Sequence, residues 1–227
     1  MEGASYRTVR NGGSFVVTEK KSRFIGECAH AENEEEALTF LETVRKKYYD
    51  AKHHCFAYII GKDGALVRSS DDGEPQGTAG HPILEVLKGA KLCSCVLVVT
   101  RYFGGTLLGT GGLLRCYTAA AKGAVESSEV IEKKPGTLAA VRASYTDSGR
   151  LTYLFAEERI PVLDTSYGAD VAYRIIIPAG MEGVVAKKIT EATAGRAAPG
   201  TECRVWYSEE DGEVLFDRED QTVSGSG

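Results

Sequence analysis

Seven residues constrain the fold of this 227-residue chain more than any others. The run Ser94–Thr100 is almost wholly apolar and rich in β-branched side chains, which is typical of a central strand buried on both faces of its sheet. A glycine-rich loop, Arg101–Gly112, comes directly after it and opens an alanine-rich helix over Leu113–Glu126. We therefore predict a buried strand, a loop and a helix in immediate succession.

The sequence before this strand predicts a sheet covered by an amphipathic helix. Asn33 is placed to cap a helix with an acidic first turn, and apolar residues follow at helical spacing from Ala37 to Tyr48. The Asp-Gly pair at 63–64 lies between two β-rich runs, which predicts a hairpin. The polar, glycine-rich loop Ser70–Gly80 then leads into a short predicted helix.

A charged Pro-Gly stretch, Glu132–Gly136, predicts a domain boundary. Beyond it the periodicity predicts the order βαββαβ, which describes a split-βαβ, ferredoxin-like domain. We therefore predict an α+β protein of two domains, over residues 1–131 and 137–208. Residues 209–227 are predicted to form a flexible acidic tail, in which Val214–Phe216 is the segment able to dock.

The charge distribution leaves the class of partner open. The formal net charge is −5, but residues 1–136 carry 18 basic and 17 acidic side chains, residues 137–208 carry 8 of each, and the tail carries 1 and 7. A near-neutral body can still hold a local basic patch. The charge therefore neither supports nor excludes a phosphate-bearing partner.

Two further observations predict a cytoplasmic protein without a metal or cofactor. No stretch approaches the roughly 18 to 20 apolar residues of a membrane helix, and the N-terminus is polar. The six cysteines lie within apolar segments, which favours reduced, packed thiols. Cys93 and Cys95 have no second Cys or His pair at ligand spacing, so no zinc site is complete.

The loop Arg101–Gly112 carries the densest special chemistry. Its five glycines let backbone amides approach a ligand, and the following helix N-terminus adds unpaired donors, so an anion site is physically reasonable. The loop matches neither a Walker A motif nor the dinucleotide GxGxxG pattern. Close packing explains the same glycines equally well. Arg101, at the rim of the core, has two interpretations: a structural ion pair or a contact with a ligand or partner.

Two other clusters have both a chemical and a structural interpretation. Asp71 and Asp72 belong to an acidic loop that could hold Mg²⁺ or perform acid/base chemistry, although ordinary loop structure is favoured. His53 and Cys55 would share one side of a strand, but packing of Cys55 is favoured over a nucleophilic role.

A small basic cluster, Lys20, Lys21 and Arg23, lies beside a predicted strand, where most such clusters are simply solvated. No catalytic residue is predicted. The predicted ligand- or partner-binding residues are Lys21, Arg23, His53, Asp71, Asp72, Arg101, Gly104, Gly105, Gly109 and Gly111.

One set of residues between 80 and 109 forms an ordered signature: Gly80, Ile83, Leu84, Leu87, Leu92, Val98, Val99, Arg101, Tyr102, Phe103, Gly104, Gly105, Leu108 and Gly109. This signature resembles that of the YigZ/IMPACT family. Residues 21–24, 53–58 and 71–80 are similar to further blocks of the family, and together the blocks cover most of residues 14–125. The C-terminal half resembles the smaller ferredoxin-like domain of bacterial members in its layout.

The resemblance implies a first domain with the fold of elongation factor G domain IV, an α/β sandwich, and a second domain like domain V of that factor. Eukaryotic IMPACT members oppose activation of the starvation-sensing kinase that restrains translation initiation, and they act by protein binding. They do so with an additional N-terminal domain that has no counterpart in these 227 residues.

The sequence therefore leaves three hypotheses about the function. The leading expectation is a binding or regulatory protein linked to translation, which contacts RNA, ribosome or translation-factor surfaces through the loops of the first domain. The alternative is a small hydrolase or phosphate-ligand enzyme that uses His53, Asp71, Asp72 and the loop 104–112. A third is an interaction module whose acidic tail recruits a basic protein.

Overall fold

The computed structural model describes residues 4–210 and 213–218. The chain divides into two compact units, an N-terminal unit over Tyr6–Glu132 and a C-terminal unit that begins at Lys133. The boundary falls inside the charged stretch 132–136. No helix among the described residues combines the length and the apolar character needed to cross a membrane.

An antiparallel sheet of five strands forms the centre of the N-terminal unit, in the order β2-β3-β6-β4-β5. A further strand, β1, pairs with β7 (Glu129–Ala143). The strands are β1 (Tyr6–Asn11), β2 (Ser14–Glu19), β3 (Ser22–His30), β4 (His53–Ile60), β5 (Leu66–Ser70) and β6 (Cys95–Tyr102).

Three helices cover this sheet: α1 (Glu34–Lys47), α2 (Gly80–Gly89) and α3 (Gly109–Glu126). The apolar side of α1 packs against one face of β6, where Val96 and Val98 point. Because side chains alternate along a strand, Leu97 and Val99 point to the other face, which α2 and α3 cover.

The central strand is buried on both faces, as predicted. Every residue of β6 from Cys95 to Arg101 is buried, and Tyr102 is partly exposed. The capped helix is also confirmed, because the Asn33 side chain accepts a hydrogen bond from the Glu36 amide at 2.9 Å. The N-terminal core is thus a three-layer arrangement around β6.

A tight hairpin joins β2 to β3 through Lys20 and Lys21 alone. Both lysines have left-handed backbones, with φ of 44° and 66°. Two consecutive residues with positive φ are typical of a type I′ turn, which matches the twist of the flanking strands and favours Asn-Gly over Lys-Lys. The polar segment 18–22 is therefore mostly strand, with a turn of two residues.

The C-terminal unit is a second antiparallel sheet, in the order β11-β10-β7-β9-β8. Helices α4 and α5 pack on one face through Leu151, Phe155, Val185 and Ile189. After β7 the elements are α4 (Tyr145–Glu157), β8 (Val162–Tyr167), β9 (Val171–Pro178), α5 (Glu182–Ala192), β10 (Pro199–Glu210) and β11 (Glu213–Arg218).

The charged stretch 132–136, which contains the boundary, belongs to β7, and Pro135 pairs with Trp206. One prediction about this unit needs correction: the predicted flexible tail is wrong for residues 213–218, which form β11 on the edge of β10. This strand includes Val214–Phe216, the segment of the tail expected to dock. The half-buried Val214 and Phe216 lie on one face of β11, which gives this strand an apolar side to pack. Residues 211–212 and 219–227 of the predicted tail lie outside the described residues.

Asp147 ties α4 to the segment after α5. Its carboxylate accepts two hydrogen bonds from Arg196, from Nε at 2.8 Å and from Nη2 at 2.7 Å, and a third from the Ser144 hydroxyl. The hydrogen bonds from Arg196 are the main reason that the pKa of Asp147 falls from 3.8 to about 2. The folded unit therefore stabilises the ionised form of this carboxylate, and ionised Asp147 contributes to the free energy of unfolding.

We predict that Asp147→Asn lowers the melting temperature of the C-terminal unit at neutral pH. Because the folded pKa is depressed, the stabilisation is fully present above pH 3.8 and is lost as the pH falls through about 2. The variant should therefore lose less stability than the wild type between pH 4 and pH 2. Thermal unfolding followed by circular dichroism across this range measures both effects.

Asp164→Asn is the matched control, since Asp164 is exposed on β8. It should leave the melting temperature and its pH dependence near the wild-type values. Equal acid sensitivity of Asp147→Asn and the wild type would contradict the assigned role of the Arg196 contact.

Candidate binding site of the N-terminal unit

The predicted site residues meet at one end of the N-terminal sheet. Phe24 on β3 and His53 on β4 both pair with Arg101, and Arg23 pairs with Tyr102. Directly paired residues point to the same face, so Phe24, His53 and Arg101 lie on the side of α2 and α3, whereas Arg23 and Tyr102 lie on the side of α1. The sheet thus divides the predicted residues between two faces.

Arg101 is held in a buried ion pair. Its Nη1 donates a hydrogen bond to Glu74 Oε1 at 2.6 Å, and the Tyr117 hydroxyl donates to the same oxygen at 2.8 Å. Arg101 is only 6% exposed, so its guanidinium is not presented to solvent, and the structural interpretation of this residue is the one observed. Its Nε is buried without a hydrogen-bond partner among the described residues.

The guanidinium of Arg101 also lies close to two aromatic rings. Its central carbon is 5.4 Å from the ring centre of Phe24 and 5.6 Å from that of Phe103. A cation over a ring face is attracted by the electrons of the ring. Phe103 is nevertheless 55% exposed, so its ring is supported from the protein side and largely open to solvent.

Asp71 organises the loop 71–80 rather than a ligand. Its carboxylate accepts hydrogen bonds from the amides of Gly77, Ala79 and Gly80 at 2.8 to 2.9 Å. Burial alone would raise the pKa of Asp71, but these three hydrogen bonds outweigh it and lower the pKa. The carboxylate therefore serves as a bridge between the end of β5 and the start of α2.

Asp72 forms hydrogen bonds and an ion pair with neighbouring residues. Its carboxylate accepts a hydrogen bond from the His54 amide at 2.6 Å and lies 3.5 Å from a guanidinium nitrogen of Arg45. Its carbonyl oxygen lies 2.8 Å from His53 Nδ1. Burial is the main reason that the pKa of His54 is lowered. No group of three metal-ligating side chains occurs within residues 4–210 and 213–218.

Cys55 is a packed thiol. Its Sγ lies 3.0 Å from the carbonyl oxygen of Asp71 and 3.3 Å from the Tyr117 hydroxyl, and burial raises its pKa well above the ordinary value of 9.0. A thiolate, which is the nucleophilic form, is therefore strongly disfavoured. His53 shares the face of Cys55, as predicted, but its Nδ1 is engaged by Asp72.

The glycines of the loop between β6 and α3 have different roles. Gly104 packs against the β2–β3 hairpin: its amide donates to the Ser22 hydroxyl at 3.0 Å, and a Cβ at this position would overlap the backbone of Lys21. Gly105 and Gly109 have φ of +83° and +71°, with open space where a Cβ would stand. The glycines thus serve both close packing and a left-handed backbone.

Most of the amides in this loop are free. Among the described residues, no hydrogen bond is donated by the amides of residues 105–108, which precede α3. The amides of residues 109–111 belong to the first turn of α3, where no residue of the helix can accept from them. The leucine that precedes the helix, Leu108, offers no capping side chain. This end of the sheet therefore carries amide donors without a partner in the described part of the chain, in a segment whose residues are mostly exposed.

The hairpin and the loop touch at Gly104, and we call the two together the tip–loop surface. It comprises Lys20, Lys21, Arg23 and the loop Phe103–Leu108. All three cationic residues are exposed. The guanidinium of Arg23 lies 4.8 Å from the centre of the Tyr102 ring, so it is partly oriented by an aromatic residue.

Sequence reasoning missed three residues that shape this end of the sheet. Glu74 and Tyr117 complete the Arg101 network, and Ser22 anchors Gly104. Glu74 lay within the acidic loop, but nothing in the sequence pairs it with an arginine 27 residues later. A groove of about 670 Å³ lies elsewhere, between α2 and α3, and none of the predicted site residues lines it.

We predict opposite outcomes for two alanine substitutions in this loop. Gly104→Ala should destabilise the N-terminal unit by about 1–3 kcal/mol, because the new methyl group overlaps the backbone of the hairpin. Gly111→Ala should be neutral or stabilising by a fraction of about 1 kcal/mol, because its site in α3 is open and alanine favours a helix. Urea unfolding of both variants measures the difference, and equal stability of the two variants would contradict the packing role of Gly104.

Comparisons with known proteins agree with the division into two units. The Impact N-terminal domain matches residues 20–125, and a domain of unknown function, DUF1949, matches residues 141–196. A solved crystal structure of a hypothetical protein has a TM-score of 0.58 and 33% sequence identity, and the match covers 86% of this chain and 96% of that one.

Two curated relatives match over most of their length. The IMPACT family member YvyE of Bacillus subtilis is 35% identical over 193 residues, which are 85% of this chain and 89% of the relative. The IMPACT family member YigZ of Escherichia coli is 37% identical over 183 residues, which are 79% and 90%. With two matching domains in the expected order and this identity over most of its length, the chain belongs to the IMPACT family.

Proposed function

We propose that this protein is a binding protein linked to translation, and that its tip–loop surface contacts RNA, free or on the ribosome. One observation carries the proposal: three exposed cations adjoin a loop with free backbone amides at one end of the N-terminal sheet. Phosphate groups bind to cations and to unpaired amides, and such contacts supply most of the affinity for nucleic acid.

The turn itself supports a function for the two lysines. A residue other than glycine in the left-handed region costs on the order of 1 kcal/mol, and Lys20 and Lys21 are two such residues in succession. Asn-Gly would form the same turn with less strain. The turn therefore carries positive charge at the expense of stability. This is expected if the two lysines bind a ligand.

The family and the topology support the link with translation. In the C-terminal unit, β10-β7-β9-β8 are the fourth, first, third and second strands of βαββαβ, which supports a ferredoxin-like fold similar to elongation factor G domain V. The layers of the N-terminal unit are compatible with domain IV of that factor.

The enzymatic alternative has less support. The carboxylates of Asp71 and Asp72 are occupied by backbone amides, and the Cys55 thiol is buried and protonated. A hydrolase at this site would first have to release these groups from the contacts that hold the loop 71–80. We therefore propose binding rather than catalysis as the use of this surface.

We predict that Lys20→Asn/Lys21→Gly weakens binding to structured RNA and to ribosomes at low salt without loss of stability. The replacement removes two charges and restores a favoured turn, so misfolding cannot explain a loss. The slope of the logarithm of the binding constant against that of the salt concentration should fall by about 1.4 to 1.8, at about 0.7 per phosphate contact on a single strand and about 0.9 on a double helix. Fluorescence anisotropy over a salt series measures affinity and slope together.

Lys88→Gln/Lys122→Gln is the matched control, because it removes two exposed lysines from the later turns of α2 and α3. It should leave the slope unchanged. Failure of the wild-type protein to bind RNA at low salt would refute the proposal. Binding to ribosomes that excess free RNA does not displace would instead indicate a protein surface as the partner.

A further inference from the structure

Phe103 is an exposed aromatic residue in an unusual setting. It is the first residue after β6, it is 55% exposed, and the next two residues are glycines. No side chain stands immediately beyond it in the chain to cover the ring. A phenylalanine exposed to this degree loses the free energy of burial that most phenylalanines gain in a core.

The Phe103 ring is in contact with the guanidinium of Arg101. The guanidinium of Arg101 lies 5.6 Å from the ring centre, and this guanidinium is itself fixed by Glu74, which Tyr117 also holds. A ring that is more than half exposed and has a fixed cation over it has less freedom to lose when a second flat group stacks on it.

The surroundings of the ring fit a nucleotide. Gly104, directly after Phe103, contacts the backbone of the hairpin that carries Lys20 and Lys21, so two cations are attached to the same loop. The free amides begin at Gly105. An exposed ring thus lies beside groups that bind phosphate, which is the combination that proteins use for unpaired nucleotides.

We propose that Phe103 is a stacking platform for an unpaired RNA base, while Lys20 and Lys21 contact the flanking phosphates. This inference rests on the proposed RNA binding and narrows its ligand to single-stranded or looped RNA. A base within a duplex has both faces covered by its neighbours and cannot stack on Phe103. Arg101 acts here as a positioning residue, because it touches the ring and not the RNA.

Binding of a fluorescein-labelled oligouridine strand and of an RNA duplex of equal length tests the inference. The wild type should prefer the strand. Phe103→Leu should weaken binding of the strand by at least about fivefold, the lower end of the loss seen when a stacking residue is removed. Because no charge is removed, the salt slope should stay at the wild-type value, unlike that of the lysine variant. Phe103→Trp should retain the affinity.

A spectroscopic signal separates stacking from a general disturbance of the loop. A strand with one 2-aminopurine base should lose fluorescence when it binds the wild type or Phe103→Trp, and should keep it with Phe103→Leu. The control Tyr153→Leu removes a ring from the C-terminal unit that is even more exposed, at 69% against 55% for Phe103, and should behave as the wild type. Melting temperatures of all variants verify that each is folded.

The outcomes distinguish this inference from the function on which it rests. If the lysine variant loses affinity while Phe103→Leu binds and quenches as the wild type does, stacking is refuted and RNA binding stands. Equal affinity for strand and duplex that does not depend on Phe103 also refutes stacking. If the wild type binds neither RNA at low salt, both proposals fail.

Discussion

Burial of strand β6 on both faces is the constraint on which the N-terminal unit depends. Helix α1 covers one face and α2 and α3 cover the other, so an apolar side chain is needed at almost every position of the strand. The strand ends where this pattern ends. Arg101, its last buried residue, can remain inside only because Glu74 neutralises its charge, since an unpaired buried cation would be very costly.

The ion pair links elements that are far apart in the sequence. Glu74 belongs to the loop that Asp71 shapes through three backbone amides, and Tyr117 belongs to α3. The loop 71–80, the end of β6 and the third turn of α3, which holds Tyr117, are therefore mutually dependent. The loop 103–108 joins the last two of these elements, so the ion pair fixes the positions of both its ends.

Local patterns predicted much of the fold. The apolar run of β6, the Asn33 cap and the order of elements after residue 136 all depend on neighbours within one element, and each is present in the structure. Patterns failed where the deciding partner is distant. Strand β11 exists because β10 offers it an edge, and Pro135 is tolerated within a long β7; neither fact is visible in the local composition.

The candidate site shows the same limit. The sequence singled out His53, Asp71, Asp72 and Arg101 as candidates but left open whether they meet, and it did not predict the hydrogen bonds that hold them near one end of the sheet. A carboxylate that caps a helix and one that binds a ligand have the same sequence signature. Only the amides of the loop 71–80 and the position of Glu74 distinguish the two, and these depend on tertiary structure.

The Lys20-Lys21 turn has a consequence for how such a protein changes under selection. A laboratory screen that rewards resistance to heat alone would favour Asn and Gly at these two positions, because the relaxed turn costs nothing in the core and nothing in the sheet. The selected variants would have a higher melting temperature and less positive charge at the hairpin. A thermostabilised version of this protein should therefore keep both lysines fixed from the first round of mutagenesis.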